Sequence, residues 1–295
     1  MSPTSTAPDL VVTGSLDGFS TRLDEERRAG RTVGVVLTMG ALHEGHASLL
    51  RRAADECDVV VLTLFVNPIQ FAEAADLANY PRTLESDLAV ARAEGCDLVF
   101  APSVEEMYPD WPRPPATTVT VHALVDRWEG ASRPGHFDGV ATVVTKFLSA
   151  AGRCRTYFGE KDFQQLAVVR RLARDLSLPA EIVGCPIVRE PDGLAMSSRN
   201  ARLSPAERVA AVTLSRALAA GAAAFASGAA RADVEAAMVR EVAGQPLVDL
   251  DYAVLVGADD LEPADAGSAA PLRLLVAARV GPVRLIDNLD PRPAR

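Results

Sequence analysis

The chain has 295 residues, 48% hydrophobic and 23% charged, a globular balance that excludes a disordered or low-complexity protein. Its 30 Lys and Arg against 39 Asp and Glu leave a net charge of −9, which excludes nucleic-acid binding driven by charge alone. At about 150 residues per domain, the length predicts one large domain or two unequal ones.

Residues 1–10, MSPTSTAPDL, read as a loose polar tail without the basic and apolar regions of a secretion signal. Residues 32–38, TVGVVLT, form a β-branched strand, followed by a Gly-containing turn and a helix that places Leu49, Leu50, Ala53, Ala54 and Cys57 on one face. The run at 58–66, DVVVLTLFV, suits a central parallel strand, completing a βαβ unit. A helix at 84–94, a strand at 97–100, a helix at 140–150, a strand at 156–158 and a helix at 162–176 continue the alternation. This predicts an α/β fold with a Rossmann-like, doubly wound parallel sheet.

The pattern changes at the polar loop 186–200. Two Ala-rich helices, 205–226 and 232–243, precede strands at 251–256, 272–280 and 283–286, which predicts a smaller C-terminal α+β domain. The expected domains are thus 1–187 and 188–295, with no internal repeat. The Ala-rich run from Thr213 is broken by Ser, Arg and Gly, so no bilayer span is expected. Cys57, Cys96, Cys154 and Cys185 form no C-x-x-C pair and suit reduced thiols in a cytoplasmic protein.

Two of the four histidines, His43 and His46, share one turn, Met39-Gly40-Ala41-Leu42-His43-Glu44-Gly45-His46. The turn follows a strand and opens a helix, where free N–H groups and the helix dipole favour a phosphate. Gly40 and Gly45 have the glycine spacing of a Walker loop, but His46 stands where that loop needs Lys. The second His comes one residue too early for H-E-x-x-H zinc binding.

A second strand-to-helix turn, Gly159-Glu160-Lys161-Asp162, offers a cation beside phosphates and is followed by the amides Gln164 and Gln165; an ordinary capped helix start accounts for it equally well. The segment Met196-Ser197-Ser198-Arg199 reads as a loop able to close on a triphosphate, although composition alone suits a simple domain connection. Asn67 and Gln70 lie at a strand end, where α/β folds place ligands. His122 and His136 receive no role.

Together TMGALHEGH, LFVNPIQF, YPRTLESD, GHFDGV, FGEKDFQQL and VREPDGLAMSSRN resemble, in order and over nearly the whole chain, the pantoate–β-alanine ligases of the nucleotidyltransferase superfamily with His-x-Gly-His signatures. The resemblance implies that ATP adenylates pantoate with release of pyrophosphate, and that β-alanine then displaces AMP to give pantothenate. Carried over by motif, Met39 to His46, Gly159 to Asp162, Val188 and Met196 to Arg199 would bind ATP. His46, His43, Lys161 and Arg199 would be catalytic, Gln70, Gln165 and Asn67 would hold pantoate, and Asp87 would serve Mg²⁺. Ser86 stands where some members have a further acid. A cytoplasmic homodimer without nucleic-acid or membrane partners is implied. Two rivals stay open: a nucleotidyltransferase with another acceptor, and a nucleotide sensor without turnover.

Overall fold

The computed structural model describes residues 10–71 and 77–292; apart from Leu10, the expected tail lies outside them. The chain divides into two compact units. The first runs through Gly159 and again over Val168–Cys185; the second takes Glu160–Ala167 and Pro186 onward. Against the split expected near residue 187, the short segment Glu160–Ala167 groups with the second unit.

The first unit holds six parallel strands: β1 (Val11–Thr13), β2 (Val33–Thr38), β3 (Val59–Leu64), β4 (Leu98–Phe100), β5 (Cys154–Gly159) and β6 (Ala180–Cys185). Their order is β1-β4-β3-β2-β5-β6, and every neighbouring pair is parallel. On one face Val36, Val60, Leu62, Val99 and Tyr157 pack with Leu49, Leu50 and Ala53 of the helix Glu44–Glu56. Because strand side chains alternate, Phe100 points the other way. There it stacks on Phe19 of the helix Leu16–Arg28 at 4.5 Å and meets Phe147 of the helix His136–Ala151 edge-on at 5.9 Å. Helices on both faces explain why β2 and β3 are apolar along most of their length. The strand order reverses between β2 and β5, and open α/β sheets bind ligands outside the carboxyl ends at such a reversal.

The second unit packs the helices Thr213–Ala226 and Arg231–Ala243 on an antiparallel sheet of β7 (Val248–Gly257), β8 (Leu272–Val280) and β9 (Val283–Leu289). Leu214, Leu218, Val234, Met238, Leu255, Leu274 and Val276 form its core. The helix expected over 205–226 is two, Pro205–Ala211 and Thr213–Ala226. By length and composition this run qualifies as a membrane span, but Ala210, Ala211, Leu214, Ala217 and Leu218 are spent on the core.

All four cysteines are free thiols. Burial pushes Cys96 up to about 12, so it stays a protonated core residue. The sequence reading did not foresee β1, the helix Leu16–Arg28 or β6. β1 has only three residues, and the helix buries just Phe19, Leu23 and Glu26 beneath an otherwise charged surface.

Candidate active site

At the end of β2 the backbone turns sharply. Thr38 Oγ1 donates to Thr63 O at 2.8 Å and accepts from the N–H of Gly40 at 3.2 Å. Gly40 and Ala41 are both left-handed, with φ of 84° and 52°. A Cβ on Gly40 would lie 2.9 Å from Asp87 Oδ2, so both the conformation and the space require glycine. Ala41 has no such freedom and is strained. What holds it is the carboxylate of Asp87, 3% exposed, whose two oxygens accept from the N–H groups of Ala41 at 3.1 Å and Leu42 at 2.8 Å. Thr83 Oγ1 donates to the same carboxylate at 3.1 Å.

The two histidines then cap the helix Glu44–Glu56 in a reciprocal box. His43 Nδ1 accepts from the N–H of Gly45 at 3.1 Å, and His46 Nδ1 accepts from the N–H of His43 at 3.3 Å. The rings lie 4.1 Å apart. A ring nitrogen that accepts from a backbone N–H carries no proton, so the hydrogen-bond network assigns the proton of each neutral ring to Nε2. Both imidazoles thus carry an Nε2–H donor beside a helix N-terminus, where developing negative charge is stabilised.

Asn67 and Gln70 belong to a buried polar cluster of the same unit. Asn67 Nδ2 donates to Gln70 Oε1 and to Gly139 O, each at 3.0 Å, while its Oδ1 accepts from Tyr108 Oη at 2.8 Å. Burial pushes the Tyr108 phenol well up, so it stays a donor. Gln70 Nε2 faces Met39 Sδ at 2.9 Å, which ties Gln70 to the first residue of the histidine turn. His136, unassigned from sequence, proves to be a buried support. Its Nε2 lies 3.0 Å from Arg133 Nη1, and its Nδ1 lies 3.0 Å from Gln70 O. Arg can only donate, so Nε2 accepts and Nδ1–H donates, the opposite tautomer to the turn histidines. A Cβ on Gly139 would come within 2.6 Å of Gln70 Cα and Ile69 O; only glycine lets this helix approach so closely.

Apart from Gly159, which ends β5 in the first unit, the remaining candidates lie in the second unit. A 3₁₀ turn, Glu160–Asp162, carries Lys161, whose Nζ is 3.6 Å from Asp162 Oδ1. Gln164 is buried and Gln165 half-buried. Within the polar loop 186–200, residues 188–196 make a small hairpin: Glu190 N–H donates to Leu194 O at 2.8 Å and Met196 N–H to Val188 O at 2.9 Å. Arg189 pins it, reaching Asp287 of β9 with both terminal guanidinium nitrogens, at 2.6 and 3.0 Å. Ser197 caps the following 3₁₀ turn, accepting from the N–H of Arg199 at 3.2 Å, and Arg199 is exposed.

Asp87 does not fit the Mg²⁺ role that the resemblance suggests. Its carboxylate is surrounded by N–H and O–H donors, the shell of a hydrogen-bonded anion and not of a cation ligand. Among the described residues, no group of three His, Cys, Asp or Glu could hold a metal ion. The sequence reading also passed over Tyr108, Arg273, Asp287 and Asn288. A usable signal lay in VRLIDNL, where two polar residues stand side by side inside a strand pattern.

The chain matches the Pantoate-beta-alanine ligase family over residues 12–290. It is 52% identical over 272 residues to the pantothenate synthetase of Rubrobacter xylanophilus, spanning 89% of this chain and 92% of that one. The crystal structure of pantothenate synthetase from Thermus thermophilus gives a TM-score of 0.89 at 45% identity, over 96% of this chain and 100% of that one. That of pantoate-beta-alanine ligase from Francisella tularensis, complexed with beta-gamma ATP and beta-alanine, gives 0.78 at 29%, over 97% and 99%. With its parallel sheet, its histidine-capped turn and these matches, the chain belongs to the pantoate-β-alanine ligase family.

Proposed function

We propose that the chain condenses pantoate with β-alanine at the expense of ATP, giving pantothenate, AMP and pyrophosphate through an enzyme-bound pantoyl adenylate. Family membership supports the reaction, and the Francisella relative's complex supports ATP and β-alanine as its substrates. The observation that carries the site is the double histidine cap, in which both imidazoles accept through Nδ1 at a helix N-terminus.

In the first step a pantoate carboxylate oxygen attacks the α-phosphorus of ATP and pyrophosphate leaves. Negative charge approaches negative charge, so donors must neutralise the phosphates and hold the attack in line. His43, His46, Lys161 and Arg199 take that role, with His46 the donor as pyrophosphate departs. Met39–His46, Gly159–Asp162, Val188 and Met196–Arg199 make up the nucleotide contacts. Gln70 and Gln165 bind pantoate, with Asn67 fixing the Gln70 amide. In the second step the free amine of β-alanine attacks the acyl carbon and AMP leaves. Mg²⁺, if bound with ATP, would supply positive charge to the phosphates, and the N–H and O–H donors around Asp87 do not suit that residue as its ligand. The reading also includes a cytoplasmic homodimer.

ATP–pyrophosphate exchange, with and without pantoate and without β-alanine, tests the first step. Exchange that depends on pantoate is expected. A folded protein that binds ATP without exchange would favour a sensor or a different acceptor.

A further inference from the structure

We propose that Arg273 and Asn288, on β8 and β9 of the C-terminal sheet, are positioning residues for Lys161. This rests on the reading of Lys161 as a phosphate-binding cation. Asn288 is 2% exposed, and its Nδ2 donates to Glu160 O and Lys161 O, each at 2.9 Å. Those carbonyls belong to the peptide groups immediately before and after the Lys161 Cα. Holding both planes fixes the φ and ψ of Lys161, and with them the direction in which its side chain leaves the backbone.

Arg273 fixes the clamp in turn. It is 9% exposed, a burial that a guanidinium tolerates only with well-matched partners. Its Nε donates to Asn288 Oδ1 at 2.7 Å, which orients the amide so that Nδ2 faces the two carbonyls. Its Nη2 pairs with Glu160 Oε2 at 2.8 Å, and the guanidinium lies over the Phe163 ring at 4.4 Å. Arg273 therefore grips residues on both sides of Lys161. Glu160 spends its carboxylate on this grip, so its place among the nucleotide contacts rests on its backbone N–H. None of these contacts is needed to pair β8 with β9, whose ladder is made by backbone groups. The C-terminal sheet thus has a task of its own, that of aiming the lysine.

The test is a double-mutant cycle on the full chain, read by pantoate-dependent ATP–pyrophosphate exchange. Asn288→Ala is expected to lower kcat by about tenfold, the scale of a misplaced catalytic group, with the KM for pantoate unchanged. In a Lys161→Ala background the same change is expected to cost nothing further, because the group it aims is gone. Should Asn288→Ala fail to fold, Glu160→Gln, which keeps an acceptor for Arg273 but loses the charge, takes its place with a smaller loss and the same cycle. An undiminished loss in the Lys161→Ala background would overturn the proposal. So would normal exchange by Asn288→Ala beside a crippled Lys161→Ala. Normal exchange by Lys161→Ala itself would instead remove the reading of Lys161, and this inference with it.

Discussion

The two turns that carry the candidate cationic and imidazole groups are built by opposite means. The histidine turn after β2 is held in good part by its own side chains, which cap the helix that it opens; Asp87, 45 to 46 positions along the chain, adds acceptors for Ala41 and Leu42. The lysine turn after β5 draws support from far along the chain. Its carbonyls and its Glu160 are held by residues 113 to 128 positions further along the chain. A turn is legible from its own residues when they make its hydrogen bonds, and ambiguous when a distant strand makes them.

Substituting the groups themselves sharpens this contrast and gives the largest expected effects. His46→Ala and Lys161→Ala are each expected to lower kcat by roughly 10²–10³, the usual cost of removing one preorganised charge-stabilising group. Their stabilities should differ. His46 also closes the capping box, whose loss costs about 1 kcal/mol. Among the described residues the Lys161 amine makes only a 3.6 Å approach to Asp162, and its loss should leave the melting temperature unchanged. Steady-state kinetics and thermal unfolding of both variants check this; equal destabilisation would break the contrast between the turns.

Asp87→Asn comes next. The amide keeps the shape of the side chain but turns an N–H₂ toward the N–H of Ala41 or Leu42, leaving a buried donor without an acceptor. A loss of about 1–3 kcal/mol is expected, with a fall in kcat as the strained Ala41 relaxes. The Mg²⁺ concentration that half-saturates activity should not move. A shift in that concentration at unchanged stability would show Asp87 to be a metal ligand after all.

The same distinction between near and far partners governs what the sequence disclosed. β2, β3, the intervening helix and the strands of the C-terminal sheet were legible because apolar periodicity is local. The histidine pair was legible for the same reason, since a strand, two glycines and two imidazoles stand within a dozen residues. β6 was not, because as an edge strand it is only partly buried and lacks a continuous apolar run. His136 gave no signal because the carbonyl it holds is 66 residues away. Tyr108 serves Asn67 across 41. Asp87 was read as a Mg²⁺ ligand, but its carboxylate accepts from two backbone N–H groups. That reading came from the resemblance of its segment alone, and only the fold reveals that two backbone N–H groups point at the carboxylate.

The smallest effect is expected at the opposite end of the same strands, and it isolates position from chemistry. Asp58, just before β3, accepts from Thr32 through both the backbone N–H at 2.8 Å and the hydroxyl at 2.7 Å. Like Asp87 it clamps a strand terminus, but at the amino end, far along β2 from the histidine turn. These bonds, the backbone one first, hold its carboxyl below the usual carboxylate range. A group whose folded pKa is depressed contributes stability above its unfolded value of about 4, and loses it as pH falls through the folded value. Asp58→Asn should therefore lower the melting temperature slightly and equally across neutral pH, with the gap to the parent closing below about pH 4. Its kcat should match the parent's. A rate loss like that of Asp87→Asn would mean that any loosening of β2 reaches the chemistry, and that the histidine turn is not held locally; a gap that widened toward acid would contradict the hydrogen bonds assigned to Asp58.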